Sequence, residues 1–366
     1  MHNNIFITGG AGFIGSRLAT ALQKDNPGSR IWVYDNLHPQ VHGINAEPPV
    51  FTGNIQFIKG DVADKAAFDA AILKCQPGLV YHLAAETGTG QSYDEVSRYC
   101  EVNVTGTANL VEAIRKHSSS TTRRVVLAAS RAVYGEGGYC DAAGSIFTGL
   151  PRQAEAMQAG DYSVPMPAAA KLPVVAIPSD TQLAPAPASV YASTKLMQEY
   201  IVEQTGEGAS WESTALRFQN VYGPGQSLNN PYTGVLSIFA NQLLDGKTLS
   251  IYEDGDISRD FVFVDDAVSA LVQAGKKDLP HGTTLDIGSG DAVSILEVAQ
   301  QLMTYLGFDT GRYKVTGEFR IGDIRYACAN ISAASELLAW APRMGIENGL
   351  RLLSDWARKE YMSKTK

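Results

Sequence analysis

Apolar residues recur along the chain in two rhythms. In the first half, nearly continuous Val/Ile/Leu/Phe runs at Asn4–Thr8, Arg30–Tyr34, Ile55–Lys59, Leu79–Leu83 and Arg124–Ala129 alternate with helical patterns at Ile14–Gln23, Lys65–Leu73 and Val102–Lys116. Runs of that kind are strands covered by helices on both faces, and the alternation predicts βαβ units in a parallel sheet. The rhythm then breaks. Residues 151–189 hold 7 prolines and 10 alanines in 39 positions, with only five charged residues. Proline removes an amide donor and turns the preceding residue away from helix, so this stretch is expected to be irregular. A lid, an interface arm and an inert insertion all remain open for it.

Regular patterning resumes with a helix over Val190–Gly206, a strand over Ser213–Phe218, a Gly/Pro/Asn loop over 223–234, a helix over Val235–Leu244 and a strand-turn-strand from Leu249 to Val264. The rest, with Leu285–Ile287, Ile295–Leu306 and Asn330–Trp340, reads as a smaller mixed α+β unit. The expected fold is therefore α/β. A Rossmann-type, doubly wound parallel sheet spans residues 1–220 and carries the Pro/Ala-rich insertion at about 139–189. A smaller mixed domain spans 221–366, with parts of 235–275 wound back onto the first.

Charge and cysteine usage narrow the function. Acidic residues number 38 against 30 basic, a net charge of −8, which argues against a nucleic-acid groove or an anionic membrane as partner. No window approaches the ~18 apolar residues of a bilayer span, and Met1-His2-Asn3-Asn4 runs straight into a strand rather than a leader. Cys75, Cys100, Cys140 and Cys328 lie far apart with no CxxC, so neither a metal site nor a disulfide framework is expected. The expectation is a cytoplasmic protein.

The chemistry begins at the first strand. Ile5-Phe6-Ile7-Thr8-Gly9-Gly10-Ala11-Gly12-Phe13-Ile14-Gly15 reads as a strand, a glycine turn and a helix start. A dinucleotide pyrophosphate needs backbone amides at a helix N-terminus with no side chain in the way. Gly9 and Gly10 would make the turn, Gly12 would admit the phosphates, and Gly15 would let helix pack on strand. Asp35, after the second strand and 20 residues beyond Gly15, is placed to accept the adenosine ribose hydroxyls. Its charge opposes a 2′-phosphate, which favours NAD over NADP. Asp61-Val62, after the third strand, is a candidate for the adenine amine, although a strand-end cap explains it nearly as well.

Tyr191-Ala-Ser-Thr-Lys195 opens a helix with Tyr and Lys at i and i+4, on one face. A tyrosine is a poor base at neutral pH, and a lysine ammonium one turn away would stabilise its phenolate. Ser130 ends the Arg124–Ala129 strand, where doubly wound sheets place their ligand crevice, and could hydrogen-bond a reacting oxygen. His82, ending an apolar strand, reads as a packed core imidazole rather than a base. Asn103-Val104-Thr105 matches a glycosylation pattern but falls within a helix.

Taken in order, Thr8–Gly15, Asp35, Asp61-Val62, His82-Leu83-Ala84-Ala85, Asn103, Ser130, Tyr191/Lys195, Leu216–Pro224 and Arg259-Asp260-Phe261-Val262 resemble the extended short-chain dehydrogenase/reductases, specifically the nucleotide-sugar epimerases and dehydratases. The resemblance covers nearly the whole chain outside the Pro/Ala-rich segment. It implies a tightly held NAD contacted by Gly9, Gly12, Phe13, Ile14, Gly15, Asp35, Asn36, Asp61, Val62, Leu83, Ala84, Ala85, Asn103, Tyr191 and Lys195. It further implies that Tyr191 takes the sugar C4 hydroxyl proton, that Ser130 hydrogen-bonds that oxygen, and that Lys195 binds the nicotinamide ribose and depresses the Tyr191 pKa. Asn220, Arg259 and Arg325 would face the nucleotide-diphosphate half, although a structural ion pair is an alternative for the arginines. Helices Val102–Lys116 and Val190–Gly206 could pair across a two-fold axis, as in related homodimers.

Look-alike dehydratases carry an Asp-Glu pair directly after the Ser/Thr; here Arg131 and Ala132 stand there, which counts against dehydration. A 4-epimerase needs no further acid or base. Residues Ala84–Ser92 and Ser130–Gly137 are similar to a narrower group, the dTDP-L-rhamnose 4-epimerases, in which Glu86 and Thr87 would line the sugar pocket, with Ser130 and Arg131 as further candidates for substrate binding. Relatives in that group carry further cysteines in the insertion, and this sequence keeps Cys140 alone. A 4-ketoreductase of nucleotide sugars and, remotely, a non-catalytic dinucleotide sensor remain as alternatives.

Overall fold

In a computed structural model of the chain, describing residues 3–44, 46–228, 230, 232 and 234–364, seven strands pair in parallel into one sheet. They are β1 (Asn4–Thr8), β2 (Arg30–Asp35), β3 (Ile55–Lys59), β4 (Leu79–His82), β5 (Arg124–Ser130), β6 (Glu212–Phe218) and β7 (Thr283–Ile287). Their spatial order is β7-β6-β5-β4-β1-β2-β3, so the chain winds outward from β1 in one direction and then the other. The crossing between β1 and β4 opens a crevice at the carboxyl ends of the strands.

Side chains alternate between two cores. Ile5 and Ile7 of β1 join Leu18, Leu22, Val268 and Leu271 on one face, whereas Phe6 joins Phe68, Ile72, Leu110, Ile114 and Val202 on the other. Helices Phe13–Asp25 and Val264–Lys276 pack together over the first face. Helices Lys65–Cys75 and Val190–Gly206, with the helical stretch Val96–Ser118, cover the second. That stretch contains wide turns at Cys100–Thr105 and Ile114–Ser118.

Three expectations are corrected here. Leu285–Ile287, assigned from the sequence to the smaller unit, lies in β7 of the main sheet, with Leu285 paired to Leu216. A short apolar run carries no mark of which sheet it joins; the helix Val264–Lys276, packed against the sheet, returns the chain there. The Pro/Ala-rich stretch, expected to be irregular, contributes Val175–Ile177 to a three-stranded antiparallel sheet with Gly138–Cys140 and Ile146–Thr148, and also forms a short helix at Ala154–Gln158. The strands Leu249–Ile251 and Ser258–Phe263 do not pair with each other. The first pairs with Tyr313–Val315, the second with Asn220–Tyr222 and Ala292–Ser294.

Candidate functional site

A cleft of about 530 Å³ opens over the carboxyl ends of the main strands. Its floor is the glycine turn. Gly9 has φ +65°, and a Cβ there would stand 2.7 Å from the Ala84 amide nitrogen; a Cβ on Gly15 would stand 2.3 Å from the Gly9 carbonyl oxygen. Both glycines are therefore required by close backbone approach. The helix Phe13–Asp25 starts at Gly12 with no side-chain cap, which leaves first-turn amides available to an anion at the cleft wall.

Asp35 accepts hydrogen bonds from the Ala11 amide (3.0 Å) and the Leu37 amide (2.8 Å), so its carboxylate is fixed at the cleft edge. Asn36 donates to the Asp61 carboxylate (2.9 Å), and Tyr34 donates to the Asp61 carbonyl (2.9 Å). With Val62, Leu83, Ala84 and Ala85 these residues line one continuous wall. The glycine cradle, the uncapped helix start and the fixed ribose-side carboxylate fit a dinucleotide.

The other end of the cleft holds Ser130, Arg131, Tyr191 and Lys195. Ser130 is the last residue of β5, and its hydroxyl accepts from the Ala132 amide (3.2 Å), capping a tight turn over Arg131–Tyr134. Ser189 caps the helix that carries Tyr191 and Lys195, accepting from the Ala192 amide (3.1 Å). Burial pushes the Tyr191 phenol up from its ordinary pKa, while a hydrogen bond with Ser130 and the charge of Arg131 pull against it.

Lys195 lines the same end of the cleft. Its ammonium donates to the Ala128 carbonyl (2.7 Å) and Gln198 Oε1 (2.6 Å), and Ser130 and Arg131 are the groups that favour the phenolate. Burial pushes Lys195 down to about 8, partly opposed by Glu199. Behind it, Gln198 donates to Thr107 (2.8 Å), whose hydroxyl lies 2.9 Å from His82 Nε2. His82 is 1% exposed, contacts Thr8 through Nδ1 (2.7 Å) and is pushed down to about 3 by burial. It is a neutral core imidazole, as its place on an apolar strand suggests.

Asn103 does not line the cleft. It is buried beneath it, accepting from the Glu86 amide (2.8 Å) and donating to the Glu86 carbonyl (3.1 Å) and Thr194 (2.9 Å). It thus ties the Ala84–Glu86 wall to the helix that carries Tyr191 and Lys195. Glu86 and Thr87 line the cleft, and the Glu86 carboxylate is paired with Arg98 (2.8 Å). Tyr99 donates to the Thr87 carbonyl (2.6 Å) and sets its ring edge-on to Tyr191, centroids 6.4 Å apart. No local pattern marks Arg98 or Tyr99, because both act through helix packing.

Asn220 and Arg259 line the far side with Arg131 and Asp323. Arg259 donates to the Asp323 carboxylate (2.5 Å). Burial alone would raise Asp323, but Arg259, the Ile324 amide, Arg131 and Arg320 together hold the carboxyl below its usual range. Burial and the neighbouring Arg259 push Arg131 below the ordinary guanidinium value. Arg325 corrects the expectation of a nucleotide contact. It stands outside the cleft wall, bound to Asp254 (2.6 and 2.7 Å) and Glu253 (3.1 Å), because carboxylates of the Glu253–Asp256 turn reach it first.

Comparison with known proteins follows this geometry. The GDP-mannose 4,6 dehydratase family matches residues 6–141, and the NAD dependent epimerase/dehydratase family matches residues 166–288. The interval 142–165 between them lies in the insertion. The dTDP-L-rhamnose 4-epimerase of Burkholderia thailandensis is 39% identical over 98% of this chain and 96% of its own length. The UDP-glucose 4-epimerase of Thermotoga maritima, solved with UDP-glucose, superposes with a TM-score of 0.78 at 27% identity, covering 98% of this chain and 99% of that one. The UDP-glucuronic acid 4-epimerase of Bacillus cereus, solved with UDP-glucuronic acid and NAD, gives 0.77 at 25% identity, covering 98% and 99%.

Proposed function

Because the chain belongs to the nucleotide-sugar epimerases of the extended short-chain dehydrogenase/reductase family, NAD-dependent isomerases, we propose that it is a 4-epimerase converting dTDP-L-rhamnose to dTDP-6-deoxy-L-talose. One observation carries the reaction type. Beside Tyr191 the cleft presents Ser130, Arg131 and Ala132, and the carboxylates Glu86 and Asp323 in its lining are held by Arg98 and Arg259. A dehydratase must also remove a C5 proton and protonate a departing hydroxyl, which calls for free acid/base groups at these positions. A 4-epimerase needs only one proton acceptor that returns its proton.

In this reading Tyr191 takes the proton of the C4 hydroxyl and later gives it back to the 4-keto oxygen. Ser130 hydrogen-bonds the same oxygen through both half-reactions. NAD, held by the Gly9–Gly15 turn, Asp35 and the Asp61–Val62 edge, supplies the hydride acceptor and, once reduced, the donor. Arg131, Asn220 and Arg259 hold the diphosphate, so that the 4-keto sugar turns about this tether and presents its other face. The choice of dTDP-L-rhamnose is supported by the 39% identity to the Burkholderia enzyme over nearly the full length of both chains.

Incubation with dTDP-L-rhamnose without added cofactor, followed by NMR of the sugar ring, tests the proposal. The C4 epimer should accumulate with no net NADH. Absence of the epimer, with turnover appearing only when NADH or NADPH is supplied to a 4-keto sugar, would instead make the protein a 4-ketoreductase. Tyr191→Phe should abolish turnover while sparing NAD. We also infer a homodimer through the Val96–Ser118 and Val190–Gly206 helices, whose Val96, Met197 and Tyr200 are 42–45% exposed; sedimentation at twice 39.2 kDa checks it. Among the described residues no helix is long and apolar enough to cross a membrane.

A further inference from the structure

The Pro/Ala-rich insertion sends one charged side chain deep into the molecule. Arg152 is 2% exposed at its side chain. Its Nε donates to Glu136 Oε1 (2.9 Å), its Nη1 to both oxygens of Glu253 (2.8 Å each), and its Nη2 to the backbone carbonyl of Asp323 (2.9 Å). The three targets come from different parts of the chain. Glu136 follows the Ser130 turn, Glu253 lies in the smaller unit, and Asp323 lines the cleft beside Arg259.

The geometry at Asp323 gives the arrangement its meaning. The Asp323 carboxylate accepts from Arg259 (2.5 Å) and from the Ile324 amide (2.9 Å), while its carbonyl is held by Arg152. Two residues on, the Arg325 amide donates to Glu136 Oε2 (2.8 Å), the carboxylate that Arg152 also binds. The Arg325 carbonyl accepts from the Ser258 amide (2.9 Å), next to Arg259. The segment 323–325 is thus fixed from behind by Arg152 and Glu136, and from the side by the strand that carries Arg259. A guanidinium reaches all three acceptors at once because its donors form a rigid fork; an ammonium cannot.

We propose that Arg152 is a positioning residue for the Arg259–Asp323 pair, which makes the insertion part of the substrate's diphosphate site rather than an inert excursion. The proposal rests on the nucleotide-sugar reading above. Arg152 does not touch the cleft; it sets the backbone from which Asp323 meets Arg259, and so the direction in which Arg259 presents its charge. Buried between Glu136 and Glu253, it also sets its single positive charge against two buried carboxylates.

Calorimetric titration of the NAD-loaded protein with dTDP tests the assignment. Arg152→Lys keeps the charge but cannot serve all three acceptors. It should weaken dTDP binding about tenfold, the equivalent of one or two lost hydrogen bonds, with NAD content and affinity unchanged. In steady state KM should rise more than kcat falls. Tyr162→Phe removes a different tether of the insertion, the 3.0 Å bond to the Gly317 carbonyl, and should leave dTDP affinity at the wild-type value. In an Arg259→Ala background the Arg152→Lys effect should shrink below about twofold, since the two act through one site.

Wild-type dTDP affinity in Arg152→Lys, parallel loss of dTDP and NAD, or an equal loss in Tyr162→Phe would each overturn the proposal. Should Arg152→Lys not fold, Glu253→Gln loosens the same guanidinium while keeping the shape of its acceptor, and is read by the same criteria. Wild-type protein that holds NAD but not dTDP would defeat the nucleotide-sugar reading and this proposal with it. Wild-type protein that binds dTDP, with Arg152→Lys unchanged, would defeat this proposal alone.

Discussion

Arg217 and Glu199 form a bidentate pair, with Nη2 to Oε2 at 2.7 Å and Nε to Oε1 at 3.1 Å, 8% and 5% exposed. Glu199 stands one helical turn after Lys195. Arg217, on β6, also donates to the Tyr134 hydroxyl (2.7 Å), which donates in turn to Asp286 on β7 (2.8 Å). Tyr134 closes the turn that begins at Ser130. The pair therefore joins the helix bearing Tyr191 to the turn bearing Ser130, the two halves of the reacting site.

Removing one partner of such a pair leaves a buried charge uncompensated. Arg217→Leu is expected to cost about 3–5 kcal/mol, whereas Arg217→Leu with Glu199→Leu should cost markedly less than twice that. Urea unfolding of the two single variants and the double variant measures the coupling.

The Lys195 ammonium, pushed down to about 8 by burial, gives a pH signature. Below that value the lysine is charged and can hold a ribose hydroxyl as a cation; above it the charge is lost. A decline in kcat/KM with a midpoint near pH 8 is expected on the alkaline side. Lys195→Arg, which keeps its charge, should remove that limb while lowering the plateau. A profile in the wild type that stays flat to pH 9.5 would show that the charge is not required.

Burial of His82 gives the fold a pH signature on the acid side. Its folded value of about 3 lies below the unfolded 6.5, so the neutral form is favoured by folding. The stabilisation is fully present above pH 6.5 and is lost as pH falls toward 3, amounting to several kcal/mol at about 1.4 kcal/mol per unit. Unfolding free energy should drop through that window, and His82→Gln should flatten the slope. An unaltered slope in the variant would assign the loss to carboxylates instead.

Gly15→Ala probes the cofactor cradle. The added Cβ would lie 2.3 Å from the Gly9 carbonyl oxygen and 2.6 Å from Gly10 Cα, both backbone atoms that cannot swing away. The turn must open, and NAD co-purifying with the protein should fall at least about tenfold, a loss that follows from misplacing the phosphate-facing amides. Chromatography of the nucleotide released on denaturation measures it.

Much of this was legible in the chain before folding. Strand periodicity, the strand–turn–helix around Gly9–Gly15, Asp35 at its spacing and the Tyr191/Lys195 pair are each encoded within a few tens of residues. Local sterics and helical pitch suffice to place such features. The helix boundaries Val190–Gly206 and Val235–Leu244 agree with the patterning to the residue.

What folding alone decided are the partners of charged side chains. Arg325, expected to contact the nucleotide half, is bound by Glu253 and Asp254, while its amide meets Glu136, 189 residues away in sequence. Arg152, in a segment with no pattern of its own, turned inward between Glu136 and Glu253. Leu285–Ile287 joined the large sheet, and Lys195 turned to Ala128 and Gln198. The physical reason is the same in each case. A residue's preference for helix, strand or turn is set by its own backbone and near neighbours. The carboxylate a guanidinium binds, or the sheet a short strand enters, depends on which groups packing brings within about 3 Å, and the spacing of residues along the chain carries no record of that.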